Sequence, residues 1–155
     1  MDRIAHEDLD SMFAPADVKR PVGDALGTEH LALNYYELAP GERFGIGYHR
    51  HPTQEEVFYV LEGTATFETE DGDVDVGPES LVRFAPGEWQ VGRNDGSERV
   101  RALAIGAPRE SPETEVLRAC PDCGERTHQR FEITDDKTAL LSICEECGAV
   151  TGEFD

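Results

Sequence analysis

The chain has 155 residues and a net charge of −19, from 33 acidic against 14 basic residues. That length holds one compact domain with a small appendage, and that charge disfavours nucleic acid and anionic membranes as partners. No apolar run approaches the roughly 20 residues that span a bilayer, and the N-terminus, "MDRIAHEDLDSMFAPADVKR", lacks the apolar centre of a signal peptide, so a cytoplasmic protein is expected.

Residues 1–29 show no sustained period, and Pro15 and Pro21 interrupt what helical tendency there is. They read as an N-terminal arm, either wrapping the domain or leading flexibly into it. From Leu31 the texture changes to short alternating runs: "LALNYYEL", "RFGIGYH", "EVFYVLEG", "TATFETE", "DVDV", "SLVRF", "EWQVGRN" and "RVRALAIG". Turn chemistry separates them, with Asp71-Gly72 the strongest hairpin signal. About eight short strands at regular spacing predict a small antiparallel barrel or sandwich over residues 30–106.

The stretch "APRESPETE", rich in proline and glutamate, reads as a linker over 107–117. Residues 118–155 then form a second unit that holds all four cysteines, Cys120-x2-Cys123 and Cys144-x2-Cys147. Zinc takes four thiolates at tetrahedral corners, and two CxxC turns joined by a hairpin supply them. The intervening "QRFEI" and "TALLSI" suit such a hairpin, and the unit resembles a zinc ribbon. Nine acidic and three basic residues over 119–155 leave no basic stripe for phosphates. The ribbon's zinc is therefore expected to be structural, with the unit free to contact a partner protein. His128 is a spare ligand beside four cysteines and is expected at the surface.

The stretch "YHRHPTQEEVFYVLEG", residues 48–63, carries the barrel's chemistry. Side chains alternate along a strand, so His49 and His51 share a face and Arg50 takes the other. On the next strand Glu56 shares its face with Phe58 and Val60, while Glu55 points away. If the two strands are neighbours, His49, His51 and Glu56 converge on one point, as two imidazoles and a carboxylate do around a divalent metal with open positions. Phe58, Val60, Val82, Phe84 and Trp89 are candidate pocket walls or ordinary core. Arg43, Arg83 and Arg93 are candidate anion contacts or surface ion-pair partners. His6 and His30 lie outside any motif and are expected to face solvent.

The pattern His49-x-His51-x4-Glu56-x6-Gly63 resembles the first motif of the cupin superfamily. The stretch "APGEWQVGRN" resembles the second, with Pro86, Gly87 and Asn94 in place. Gln90 stands where that motif carries a histidine, the fourth metal ligand. The resemblance implies a double-stranded β-helix, a jelly-roll-like barrel. It also implies a small-molecule pocket at the barrel mouth and a divalent metal (Fe, Mn, Ni or Zn) on His49, His51, Glu56 and Gln90. Glutamine oxygen is a neutral, harder donor than imidazole and should hold a late transition metal less tightly. Oxygenase- or isomerase-type chemistry follows by analogy, as does a non-catalytic ligand or metal sensor whose ribbon contacts a partner. A homodimer is the expectation by analogy. The acidic composition, with only Lys19 and Lys137 as lysines, resembles that of proteins from salt-accumulating halophiles.

Overall fold

The computed structural model describes residues 1–155. A short turn at His6–Asp8, strand β1 (Val18–Arg20) and helix α1 (Val22–Leu26) precede the barrel. The barrel strands are β2 (Ala32–Leu38), β3 (Tyr48–Arg50), β4 (Glu55–Glu62), β5 (Ala65–Thr69), β6 (Gly72–Val76), β7 (Ser80–Phe84), β8 (Gln90–Arg93) and β9 (Val100–Ala107). Strands β10 (Glu115–Cys120), β11 (Glu125–Ile133), β12 (Leu140–Cys144) and β13 (Val150–Phe154) complete the chain. No helix is long and apolar enough to cross a membrane.

Two antiparallel sheets face each other, in the orders β1-β2-β9-β4-β7 and β13-β12-β11-β10-β3-β8-β5-β6. The alternation in "EVFYVLEG" places Phe58 and Val60 inside, where Phe44, Phe67 and Phe84 meet them. Ring centroids lie 5.0 Å apart for Phe44–Phe58 and Phe58–Phe67, and 5.4 Å for Phe67–Phe84. These aromatics, with Leu38, Val76, Val100 and Ala102, form one continuous core between the sheets. Most of the expected wall residues are therefore core. Trp89 lies on the outer surface of the second sheet, stacked on Tyr48 at 5.4 Å and capped by the Arg50 guanidinium at 4.9 Å.

The eight runs read from the sequence each contribute a strand, with one shortened. In "RFGIGYH" only Tyr48 and His49 lie in β3, and Arg43 makes an isolated bridge to Arg93. Gly45 there leaves room for the His49 ring, which an added Cβ would meet at 2.8 Å. The arm is tied down through β1, which pairs with β2.

The segment read as a linker is shorter than 107–117, because β10 begins at Glu115 and pairs with β3 across Glu115↔Arg50, Val116↔His49 and Leu117↔Tyr48. The cysteine unit thus extends the barrel's own sheet. Gly47 permits this approach, since a Cβ there would lie 2.6 Å from the Leu117 carbonyl. Arg118 secures it, donating to the Ile46 carbonyl on the barrel side and to the Thr151 carbonyl on β13. Arg126 adds a two-pronged pair to Glu68 on β5, at 2.7 and 3.1 Å.

Gly63 closes the turn after β4 with φ +74°, and an added Cβ would stand 2.5 Å from the Arg99 carbonyl. Gly63→Ala is expected to cost about 1–3 kcal/mol, from left-handed backbone and overpacking together. An unchanged denaturant midpoint would contradict this.

Candidate metal centre

Strand β3 brings His49 to the inner face of the second sheet, and its register partner on β8 is Gln90. His51 follows just beyond β3. Glu56 enters from β4, which belongs to the opposite sheet. The histidine and glutamate strands are thus not neighbours in one sheet, the condition set for convergence above; they face each other across the barrel. The Pro52–Gln54 turn carries the chain from one sheet to the other, and Gln54 anchors it by donating to the Pro108 carbonyl at 2.7 Å. Convergence survives because both inner faces look onto the same cavity. Glu55 points outward as read and pairs with Arg83 at 2.7 Å.

His49 Nε2, His51 Nε2 and the Glu56 carboxylate lie within 4.8 Å of one another. Glu56 Oε2 is 3.9 Å from His49 Nε2 and 3.5 Å from His51 Nε2, and the three side chains are 11–17% exposed. The hydrogen bonds define both tautomers. The Gln90 amide N–H can only donate, and it meets His49 Nε2 at 3.0 Å. His49 therefore carries its proton on Nδ1, which donates to the Gly47 carbonyl at 2.9 Å. Thr114 gives its hydroxyl proton to the Ser111 carbonyl at 2.8 Å, so it accepts from His51 Nδ1–H at 2.8 Å. Both Nε2 lone pairs then point at the Glu56 carboxylate. Gly87 N–H holds the His51 carbonyl at 2.9 Å, which links the second motif to the first.

Burial alone would push the Glu56 carboxyl up; when the His49 and His51 rings carry a proton on Nε2 they outweigh it and hold the group down at about 2, and in the neutral tautomers above those positions are open to a cation in the protons' place. Glu56 is thus a carboxylate at neutral pH. Three electron-pair donors converge with only the Gln90 amide between two of them, donating to Glu56 Oε2 at 2.9 Å. Gln90 is 2% exposed, and its carbonyl oxygen is buried with no partner. Because an amide's oxygen and nitrogen exchange places by a half-turn, that orphaned oxygen can be brought to face the cluster. The donor set is two imidazoles, one carboxylate and one carboxamide, and it fits a divalent cation.

Asn94, the last motif residue, takes no part in the cluster. It donates to the Leu38 and Glu98 carbonyls and shapes the turn after β8. Arg93 pairs with Asp73 and Asp95. His128 is exposed, while His6 stacks on Tyr35 at 3.9 Å. The cluster opens into a cavity of about 740 Å3, of small-molecule size. Its lining includes residues that sequence reasoning missed: Lys19 from the arm, Asn34 and Tyr36 from β2, and Ser111 and Thr114 ahead of β10. Only the alternation of β2 hinted at any of them.

At the far end of the second sheet, Cys120, Cys123, Cys144 and Cys147 form a second cluster with Sγ–Sγ separations of 3.6 Å for Cys120–Cys147 and 3.8 Å for Cys123–Cys144. A tetrahedron with metal–sulfur bonds of about 2.3 Å has edges of about 3.8 Å, so the spacing fits zinc. Gly124 and Gly148, at φ +76° and +79°, turn their N–H groups back to the Cys120 and Cys144 carbonyls. The Thr127 hydroxyl, 3.1 Å from Cys144 Sγ, helps draw that thiol down to about 6, toward the thiolate a metal needs.

Fold and cluster together define a double-stranded β-helix with a candidate metal centre at its mouth. Residues 34–106 match the cupin domain family, and the barrel is a cupin domain. No curated protein sequence matches the chain significantly. A sugar phosphate isomerase of the cupin superfamily from Silicibacter pomeroyi is similar at 16% identity and a TM-score of 0.65, covering 97% of this chain and 92% of its own. The polyketide cyclase RemF from Streptomyces resistomycificus is similar at 22% identity and a TM-score of 0.64, covering 79% and 89%. An uncharacterised double-stranded β-helix protein from Klebsiella pneumoniae is similar at 18% identity and a TM-score of 0.61, covering 75% and 97%.

Proposed function

We propose that the chain is a metallo-cupin acting on a small molecule, of oxygenase or isomerase type, with a zinc-stabilised ribbon built onto its barrel. The observation that carries this reading is the convergence of His49 Nε2, His51 Nε2 and ionised Glu56 at the base of a small-molecule cavity. Bound there, a divalent ion would act as a Lewis acid on an oxygen of the substrate. The chain's own residues do the rest. Gly47 and Thr114 hold the imidazole tautomers with Nε2 free. Gln90 supplies a neutral fourth donor, and Tyr36 and Phe58 exclude water from the cavity's inner wall. Cys120, Cys123, Cys144 and Cys147 hold the ribbon zinc.

A second reading, a ligand or metal sensor whose ribbon contacts a partner protein, draws support from Ile133 and Val150, which stand 65% and 57% exposed on the ribbon. Metal-dependent turnover of a metabolite separates the two readings. The metal centre itself is tested by elemental analysis of protein purified without chelators. Two metal ions per chain are expected, falling to one, zinc, in His49→Ala/His51→Ala. A single ion in both proteins would overturn the barrel site.

A further inference from the structure

The cavity holds a cation that the metal centre does not use. Lys19 lies opposite Tyr36 in the β1–β2 register, and Tyr36 is buried inside the barrel. Alternation therefore turns Val18 and Arg20 outward and Lys19 inward. Its Nζ sits 5.7 Å from the Tyr36 ring centroid, and it lines the same cavity as His49, His51 and Glu56. The other cation on the cavity wall, Arg109, is already committed, to Asp24 at 2.7 Å and to the Thr28 carbonyl. Lys19 makes no ion pair; Glu56 spends its short contacts on His49, His51 and Gln90.

An unpaired ammonium half-withdrawn from water is costly unless an anion joins it. Burial lowers the Lys19 pKa and Glu56 raises it, as expected for a desolvated cation whose counter-charge lies beyond ion-pair distance. Of the two Lys and Arg side chains on the cavity wall, Lys19 is the one without a carboxylate partner. A divalent ion on Glu56 and two neutral imidazoles would leave one positive charge at the cluster, and Lys19 adds a second. The cavity is then a cationic spot on a strongly anionic protein, a setting that selects for an anionic guest.

We infer that Lys19 is an anion anchor: the ligand of this cavity is a small organic oxyanion whose carboxylate or phosphate group meets Lys19 Nζ while an oxygen elsewhere on it faces the His49–His51–Glu56 cluster. This rests on the metallo-cupin reading for the second contact but not for the first. The N-terminal arm is thereby part of the binding site.

The test is calorimetric titration of the metal-loaded full chain with inorganic phosphate and, separately, malonate, at fixed ionic strength. It is run on the wild type, Lys19→Gln, Lys19→Arg and His49→Ala/His51→Ala, with the metal content of each measured. At least one anion is expected to bind, and which one distinguishes a phosphate ester from a carboxylic acid. Lys19→Gln should weaken that binding tenfold or more with metal content unchanged, and Lys19→Arg should restore most of it. Equal binding by the wild type and Lys19→Gln, or no binding of either anion by the wild type, would overturn the anchor. A wild type that lacks barrel metal yet loses anion binding on Lys19→Gln would sink the metal reading and uphold the anchor.

Discussion

Replacing Cys120 and Cys123 together by serine is expected to unfold the β10–β13 unit and to weaken the barrel's metal site with it. The unit has little apolar core of its own. Its buried interior includes Thr127, Gln129 and Ser142, joined by hydrogen bonds from Ser142 and Thr151 to the Gln129 carbonyl at 3.1 and 2.6 Å. A unit of this size and polarity folds on its metal, which contributes about 10–16 kcal/mol in small zinc peptides. The effect should reach the barrel because β10 pairs with the strand that carries His49. Just before β10, Ser111 and Thr114 orient His51. Loss of such orienting partners typically costs 10–100-fold in metal affinity. Chelator competition at the barrel site, after zinc is accounted for, measures the drop. An unchanged barrel affinity in the serine variant would show that the ribbon is not coupled to the site.

Gln90→His is expected to raise the affinity of the barrel for a late first-row metal by about tenfold or more, since imidazole is the stronger donor to such ions. Gln90→Leu should act in two ways. It removes the candidate fourth donor and lowers metal affinity. In the metal-free protein it also removes the amide that donates to Glu56 at 2.9 Å and to His49 at 3.0 Å. A buried carboxylate that loses a donor costs about 1–3 kcal/mol, so the melting temperature of the metal-free variant should fall. Metal binding by Gln90→Leu equal to the wild type would remove glutamine from the ligand set and leave a three-residue site.

Much of the barrel was legible because its signals are local. Alternation sorted Glu55 from Glu56 and Arg50 from its histidine neighbours, and the structure pairs Glu55 with Arg83 and Arg50 with Glu115 on outer surfaces. The β5–β6 hairpin forms where Asp71-Gly72 predicts one, with Glu70 and Asp71 as its two loop residues and Gly72 opening β6 at φ +110°. The CxxC spacing brought four thiols together because each pair closes within a single turn. The substitution at Gln90 was equally plain, being a matter of identity at one position.

What the chain's order of residues could not display was which strands become neighbours. His49, His51 and Glu56 meet across two sheets rather than along one. Lys19 reaches the cavity from a segment with no periodic signal, and Ser111 and Thr114 reach His51 from a stretch that reads as linker. The ribbon joins the barrel sheet only because Gly47 leaves room for β10. These contacts link residues far apart in the chain, and they depend on sheet order and close packing, which no short window of sequence encodes. The residue types of the claw, and the faces they take on their strands, are set by local periodicity. The cavity around the claw, its cation and its coupling to the ribbon are decided by the tertiary fold.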